Sequence, residues 1–118
     1  MQLRDDGGGK TIEYPNMWNF PGGGVEGNET PVETAAREIE EETNISLHPA
    51  QLTQIFAYQH DGTTQDYVFV CEVPEDTVAE VLEGAAMEWL SFEEIARLEL
   101  AFEQDKILPS LKDYLNSL

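Results

Sequence analysis

Basic residues are scarce in this chain of 118 residues: six lysines and arginines face 24 aspartates and glutamates, a formal net charge of −18. The six are Arg4, Lys10, Arg37, Arg97, Lys106 and Lys112. So few cations give no basic face for counterion release, which excludes nucleic acid and an anionic membrane surface as expected partners. A small phosphorylated ligand is repelled too, unless a divalent cation mediates. The bland alternative is an acidic surface kept for solubility. Cysteine is scarcer still. Cys71 alone can form no intrachain disulfide, so a reducing, cytoplasmic location is expected. In DYVFVCEV it reads as a buried strand thiol. No apolar run reaches membrane-spanning length, and the polar start MQLRDDGGG is not a signal peptide.

What is present points to one domain over residues 1–118. The length suits one modest core, and a hydrophobic fraction of 41% is near the globular average. Residues 5–28 read as loop, with two glycine clusters, Pro15 and Pro21. A helix then has a clear start. Thr30 and Glu33 form a capping box, and Pro31 takes the first helical position. Val32, Ala35, Ala36, Ile39 and Thr43 make one inward stripe, and Asn44 suits the left-handed position after the helix. Strands are predicted at Leu52 to Tyr58 and Tyr67 to Val73, joined by the turn-rich QHDGTTQ. Pro74 to Glu83 is a candidate acidic helix, and Met87 to Leu90 a further strand. Ser91 and Glu94 form a second capping box, opening a helix to about Leu98. A last helix is predicted from about Asp105, with Pro109 near its first turn and Ile107, Leu108, Leu111, Leu115 and Leu118 inward. Strands mixed with helices give an α/β class.

The stretch REIEEE, Arg37 to Glu42, places four glutamates beside an arginine near the C-terminus of the first helix. Like charges three and four apart repel by a few tenths of a kcal/mol per pair, and the helix dipole disfavours them there. At about 100° per residue, Glu38, Glu41 and Glu42 share one arc beside the apolar stripe. Glu33, Arg37 and Glu40 fall on the other flank, with Glu33 and Arg37 as a favourable pair. Three such carboxylates offer the hard oxygens that Mg²⁺ or Mn²⁺ prefers; a solvated acidic face is the alternative.

The longer run FPGGGVEGNETPVETAAREIEEETNI, from Phe20, resembles the Nudix box, G-x5-E-x7-R-E-U-x-E-E-x-G-U, where U is a bulky aliphatic. Gly23, Glu29, Arg37, Glu38, Ile39, Glu41, Glu42 and Ile45 match, and Asn44 stands where the family has glycine. The flanks MWNFPGG and EGAAMEWLSFEEI extend the likeness over most of the chain. The resemblance implies an α/β/α sandwich around a mixed sheet. It also implies divalent-metal-dependent hydrolysis of a nucleoside diphosphate derivative. Glu38, Glu41 and Glu42 would be metal ligands, Glu38 also a candidate base, and the carbonyl of Gly23 a further ligand. Glu29 would hold the ligating groups in place and Arg37 would orient Glu38. Glu83, opening EGAAMEW, matches a glutamate near the metals in the MutT type; an ordinary loop acid is the alternative. Arg4 matches an arginine that contacts phosphate, with a plain strand-end charge as the alternative.

Substrate signals are thin. The proline of the ADP-ribose subgroup and the signature of the NADH type are absent, and the base-reading asparagine of the MutT type has no clear counterpart in FEQDK. An oxidised or other nucleoside triphosphate, cleaved to the monophosphate, is the reading; a non-catalytic nucleotide-binding or regulatory module is the alternative. GGGKT at residues 7–11 is no P-loop, because Arg4 stands where glycine is required. His48 and His60 lack a close ligand partner, and Trp18 and Trp89 read as packing residues. Family members open with a strand and a hairpin, yet QLR stands at residues 2–4. The first strand and most of the second are therefore expected to be missing, with self-association as the consequence.

Overall fold

The longest strands lie where β-branched and aromatic residues concentrate. In this computed structural model, which describes residues 1–3, 17–22, 25–60, 64–82 and 86–118, β3 (Thr53–His60) and β4 (Thr64–Val70) pair antiparallel as a hairpin. A register shift between Gln54 and Phe56 marks an irregularity in the ladder. Phe56 and Tyr58, two apart and hence on one face, stack with ring centroids 5.6 Å apart. The second strand starts and ends three residues earlier than the sequence predicts. Cys71 therefore lies just past it, half-buried, with its thiol donating to the carbonyl of Glu72 at 3.4 Å.

A second sheet is assembled from distant pieces of only two residues each: β1 (Gln2–Leu3), β2 (Trp18–Asn19) and β5 (Ala86–Met87), in the order β2-β1-β5. Gln2 stands opposite both Asn19 and Met87. On its outer side β2 meets residues 99–101: the Trp18 amide donates to Glu99 O and the Ala101 amide to Trp18 O, a parallel bridge beside antiparallel ladders. The loop predicted over residues 5–28 is thus interrupted by β2. Its apolar Trp18 gives no period to read, so only long-range pairing reveals it.

Helix α1 (Pro31–Thr43) has the boundaries its sequence dictates. Thr30 and Glu33 cap it reciprocally, and Asn44 closes it at φ 60° in the left-handed region. Its last carbonyls are satisfied across the fold, because Glu80 N donates to Thr43 O and Leu82 N to Glu42 O. That role holds the acidic segment extended, so residues 74–82 form no helix. Helix α2 (Phe92–Ile95) has the predicted Ser91–Glu94 capping box but stops after four residues. A 3-10 turn at Gln104–Ile107 leads into α3 (Leu108–Asn116), with Pro109 in its first turn. Ile107 is buried, but Leu115 and Leu118 are exposed rather than inward.

Helix α1 lies against β4 and α3 against β3. The buried apolar side chains among the described residues are few: Ala36, Tyr58, Ala101 and Ile107. Between α1, the hairpin and the face bearing Gln2, Asn19 and Met87 lies a cavity of about 1100 Å³. Trp89, expected to pack, is 63% exposed at its rim. Among the described residues no helix is long and apolar enough to cross a membrane.

Candidate active site

The C-terminal half of α1 is organised by one cation. Arg37 grips Glu29 with two bonds, Nε to Oε2 at 2.8 Å and Nη2 to Oε1 at 3.1 Å. Its remaining nitrogen, Nη1, donates to Glu38 Oε1 at 2.8 Å and to Glu41 Oε2 at 3.0 Å. Glu26 approaches the same nitrogen at 3.8 Å. The guanidinium fork explains the density: its planar donors engage a carboxylate bidentately and leave one nitrogen to bridge two more. Glu33, the expected partner of Arg37, is taken by the cap, where Oε1 accepts from Thr30 N and Oγ1.

Glu29 is held from several sides. Besides Arg37, it accepts from the Glu26 amide at 2.9 Å and from Thr34 Oγ1 at 3.2 Å. The Arg37 hydrogen bonds, followed by the Glu26 amide, bring its carboxyl down to about 2. Arg37 shifts upward in turn, chiefly through Glu29. Thr34 is buried although it lies outside the apolar stripe, because its hydroxyl bridges Glu29 and the Thr30 carbonyl.

Glu42 faces a different partner. It is only 4% exposed, and Oε2 accepts from the Gly22 amide at 2.9 Å, pinning the glycine loop to the last turn of α1. The three predicted ligands therefore divide: Glu38 and Glu41 meet on Arg37, and Glu42 meets the loop. Among the described residues no three His, Cys, Asp or Glu side chains converge on one point. The donor chemistry still fits a hard divalent ion, since Glu38 and Glu42 both line the cavity one helical turn apart. Glu41 is half-exposed on a surface turn. Gly23, Glu83 and Arg4 lie outside the described residues.

Sequence reasoning missed Glu26 and Gly22, which act only through folded contacts. It also missed Asn19. No periodicity marks that residue, yet it is buried among polar neighbours beside the loop. His48 caps the 3-10 turn at Pro49–Gln51, with Nδ1 accepting from Ala50 N.

This geometry meets an independent finding. The family model of the NUDIX domain matches residues 8–111. The chain belongs to the Nudix family. It is similar to diphosphoinositol polyphosphate phosphohydrolase 2 of Rattus norvegicus, at 38% identity over 72% of this chain and 49% of that protein. It is similar also to diphosphoinositol polyphosphate phosphohydrolase 3-alpha of Mus musculus, at 34% identity over 72% of this chain and 54% of the relative. The chain thus spans about half the length of the curated relatives it matches. A solved MutT/nudix family protein from Enterococcus faecalis shares the fold, with a TM-score of 0.65 and 16% identity over 90% of this chain and 52% of that one. Its α/β architecture is therefore that of the Nudix fold.

Proposed function

We propose that the chain is a metal-dependent pyrophosphohydrolase that cleaves the diphosphate linkage of a nucleoside diphosphate derivative, with an oxidised or other nucleoside triphosphate as the favoured class. The observation that carries this reading is the Arg37 lattice. One guanidinium ties Glu38 and Glu41, in the C-terminal half of α1, to Glu29 in the loop before the helix, and Glu38 borders the cavity. Glu38, Glu41 and Glu42 would hold Mg²⁺ or Mn²⁺, with the Gly23 carbonyl as a further ligand. The ion would supply charge neutralisation at phosphorus and a bound water of lowered pKa. The chain's own part is positional. Arg37 orients Glu38, the candidate base, with Glu29 as its anchor. Gly22 keeps Glu42 facing the loop. Glu83 and Arg4 are carried as candidates for the base and for a phosphate contact.

The relatives' names favour a second substrate class, a diphosphorylated inositol polyphosphate. Charge argues against it here. None of the described residues lining the cavity is lysine or arginine, and the chain carries −18 overall. A ligand bearing many phosphates needs cationic compensation that one or two ions on the diphosphate do not provide. The other rival is a nucleotide-binding module without turnover. Incubation with nucleoside triphosphates, nucleoside diphosphate sugars and an inositol pyrophosphate, with Mg²⁺ and then Mn²⁺, separates the three by phosphate or pyrophosphate release. Release from nucleotides is expected. Release only from the inositol compound would replace the substrate, and nucleotide binding without release would leave a binding module.

The expectation of self-association is supported by Val78, Val81, Leu82 and Trp89, all at least half exposed. Light scattering over a dilution series tests it, with a monomer at every concentration as the opposing result. A cytoplasmic location remains the reading from the single cysteine.

A further inference from the structure

The edge of β2 is completed by a side chain where a backbone carbonyl would ordinarily sit. Trp18 opens a parallel pairing with residues 99–101: its amide donates to Glu99 O at 3.1 Å and the Ala101 amide to Trp18 O at 2.8 Å. In a parallel ladder the next rung would run from Phe20 N to Ala101 O. That rung is replaced. Ala101 O accepts from Gln104 N at 3.1 Å, and Phe20 N donates instead to Gln104 Oε1 at 2.7 Å. The Gln104 amide thus stands in for the strand that has turned away. Its orientation follows from its partner, since an N–H is met only by an acceptor oxygen.

The turn that delivers Gln104 is strained. Ala101 to Gln104 close a four-residue turn whose central residues, Phe102 and Glu103, both have positive φ, at 56° and 57°. Turns of that shape are ordinarily built from glycine, asparagine or aspartate. A phenylalanine there is an outlier, and such strain persists only where the surroundings impose it. Here Ala101 is fully buried, the Tyr58 hydroxyl donates to Phe102 O at 3.0 Å, and Lys106 Nζ meets Glu103 Oε1 at 3.0 Å. What the turn presents, Gln104, holds the start of the glycine loop. Phe20 is followed by Pro21, whose ring fixes φ, and then by Gly22, whose amide donates to Glu42 Oε2 at 2.9 Å. Two anchors across a stiff proline make a short link from Gln104 to the last turn of α1. Asn19 Nδ2 adds a bond to the Phe20 carbonyl at 2.7 Å, whereas its Oδ1, buried without a partner among the described residues, anchors nothing.

We infer that Gln104 is a positioning residue: through Phe20 and Gly22 it fixes the glycine loop against Glu42. The consequence for a metal ion rests on the function proposed above; the loop anchor does not, and the two are read separately. Amide exchange followed by NMR on the metal-free chain reads the anchor, and calorimetric titration with Mn²⁺ reads the consequence. Gln104→Met keeps much of the shape without a strong acceptor. It should speed exchange at both Phe20 and Gly22 by about tenfold, while amides of the β3–β4 hairpin keep wild-type rates. Mn²⁺ affinity should fall by about ten- to a hundredfold. Gln104→Glu retains an acceptor oxygen and should restore slow exchange; its added charge keeps it out of the Mn²⁺ comparison. Should Gln104→Met melt as a whole, Gln104→Asn, one methylene too short for Phe20, takes its place under the same criteria. Faster exchange at Phe20 alone, with Gly22 as in the wild type, overturns the inference and leaves Gln104 to finish a sheet edge. Coupled exchange at Phe20 and Gly22 in a wild type that binds no Mn²⁺ would sink the metal reading and keep the anchor. Equal Mn²⁺ binding by wild type and variant, with Gly22 exchange unchanged, would do the reverse.

Discussion

The two walls of the cavity are built on opposite terms. On the α1 side the polar groups are tied into a network: a reciprocal cap at Thr30, a left-handed close at Asn44, and Arg37 bridging three glutamates. On the β2-β1-β5 side the strands are two residues long, and a buried acceptor is left over. The cap and the Arg37 network of the first wall join residues one to eight apart in sequence, and the second wall is held by pairings across 17 and 85 residues. A site needs both kinds. Local charge pairs fix the first wall within one stretch of chain, while the second exists only once remote strands have met.

The sharpest way to break the charged wall is Glu42→Gln. The amide keeps an oxygen for the Gly22 N–H, so the fold should persist, but it removes one of the three acidic ligands proposed for the metal and a charge opposed by the helix dipole. Turnover should fall by more than about a hundredfold, beyond what loss of an outer partner of a ligand costs. The melting temperature should hold or rise. Wild-type rates at limiting Mg²⁺ would remove Glu42 from the metal set.

That wall was also the legible one. Capping boxes, the left-handed Asn44 and the box spacing are local rules, and a sequence states them directly. What it could not state was competition. Arg37 had several acids within helical reach, and Glu33, its ideal i,i+4 partner, is consumed by the cap. The cross-chain wall was hidden for a different reason. Trp18–Asn19 has no alternation to detect in two residues, and its partners at residues 2, 3 and 99–101 are remote. Trp89, Leu115 and Leu118 read as core because they are apolar, yet the small described core leaves them exposed.

Arg37→Gln loosens the same wall without touching a ligand. Glu38 and Glu41 lose their shared donor, so activity should fall about ten- to a hundredfold, the range for partners that orient metal-binding groups. Acid melts give a second readout. Glu29 titrates near 2 when folded against an ordinary 4.5. A carboxyl so depressed adds stability that is complete above its unfolded value and is lost as pH falls from 4.5 through about 2. Glu33 and Glu94, lowered by their caps, act in the same direction. Removing Arg37 should therefore flatten the wild-type acid slope in that window while leaving the cap contributions. An unchanged slope would mean that Glu29 is not held by the guanidinium.

The smallest effect concerns the one place where the box departs from its family. Asn44 sits at φ 60°, ψ 23°, a conformation glycine adopts without strain and asparagine tolerates better than other side chains. Asn44→Gly relieves that residual strain but loses the bond from Nδ2 to Glu80 Oε1 at 3.3 Å and frees the unfolded backbone. These terms oppose one another, so stability should change by no more than about 0.5 kcal/mol and turnover should not change. Asn44→Ala keeps the strain without the side-chain bond and should cost about 1 kcal/mol. Denaturant melts of the pair settle whether backbone or side chain matters here. If glycine proved as costly as alanine, the Glu80 contact would be the feature that holds the acidic segment against α1, and the left-handed turn would be incidental.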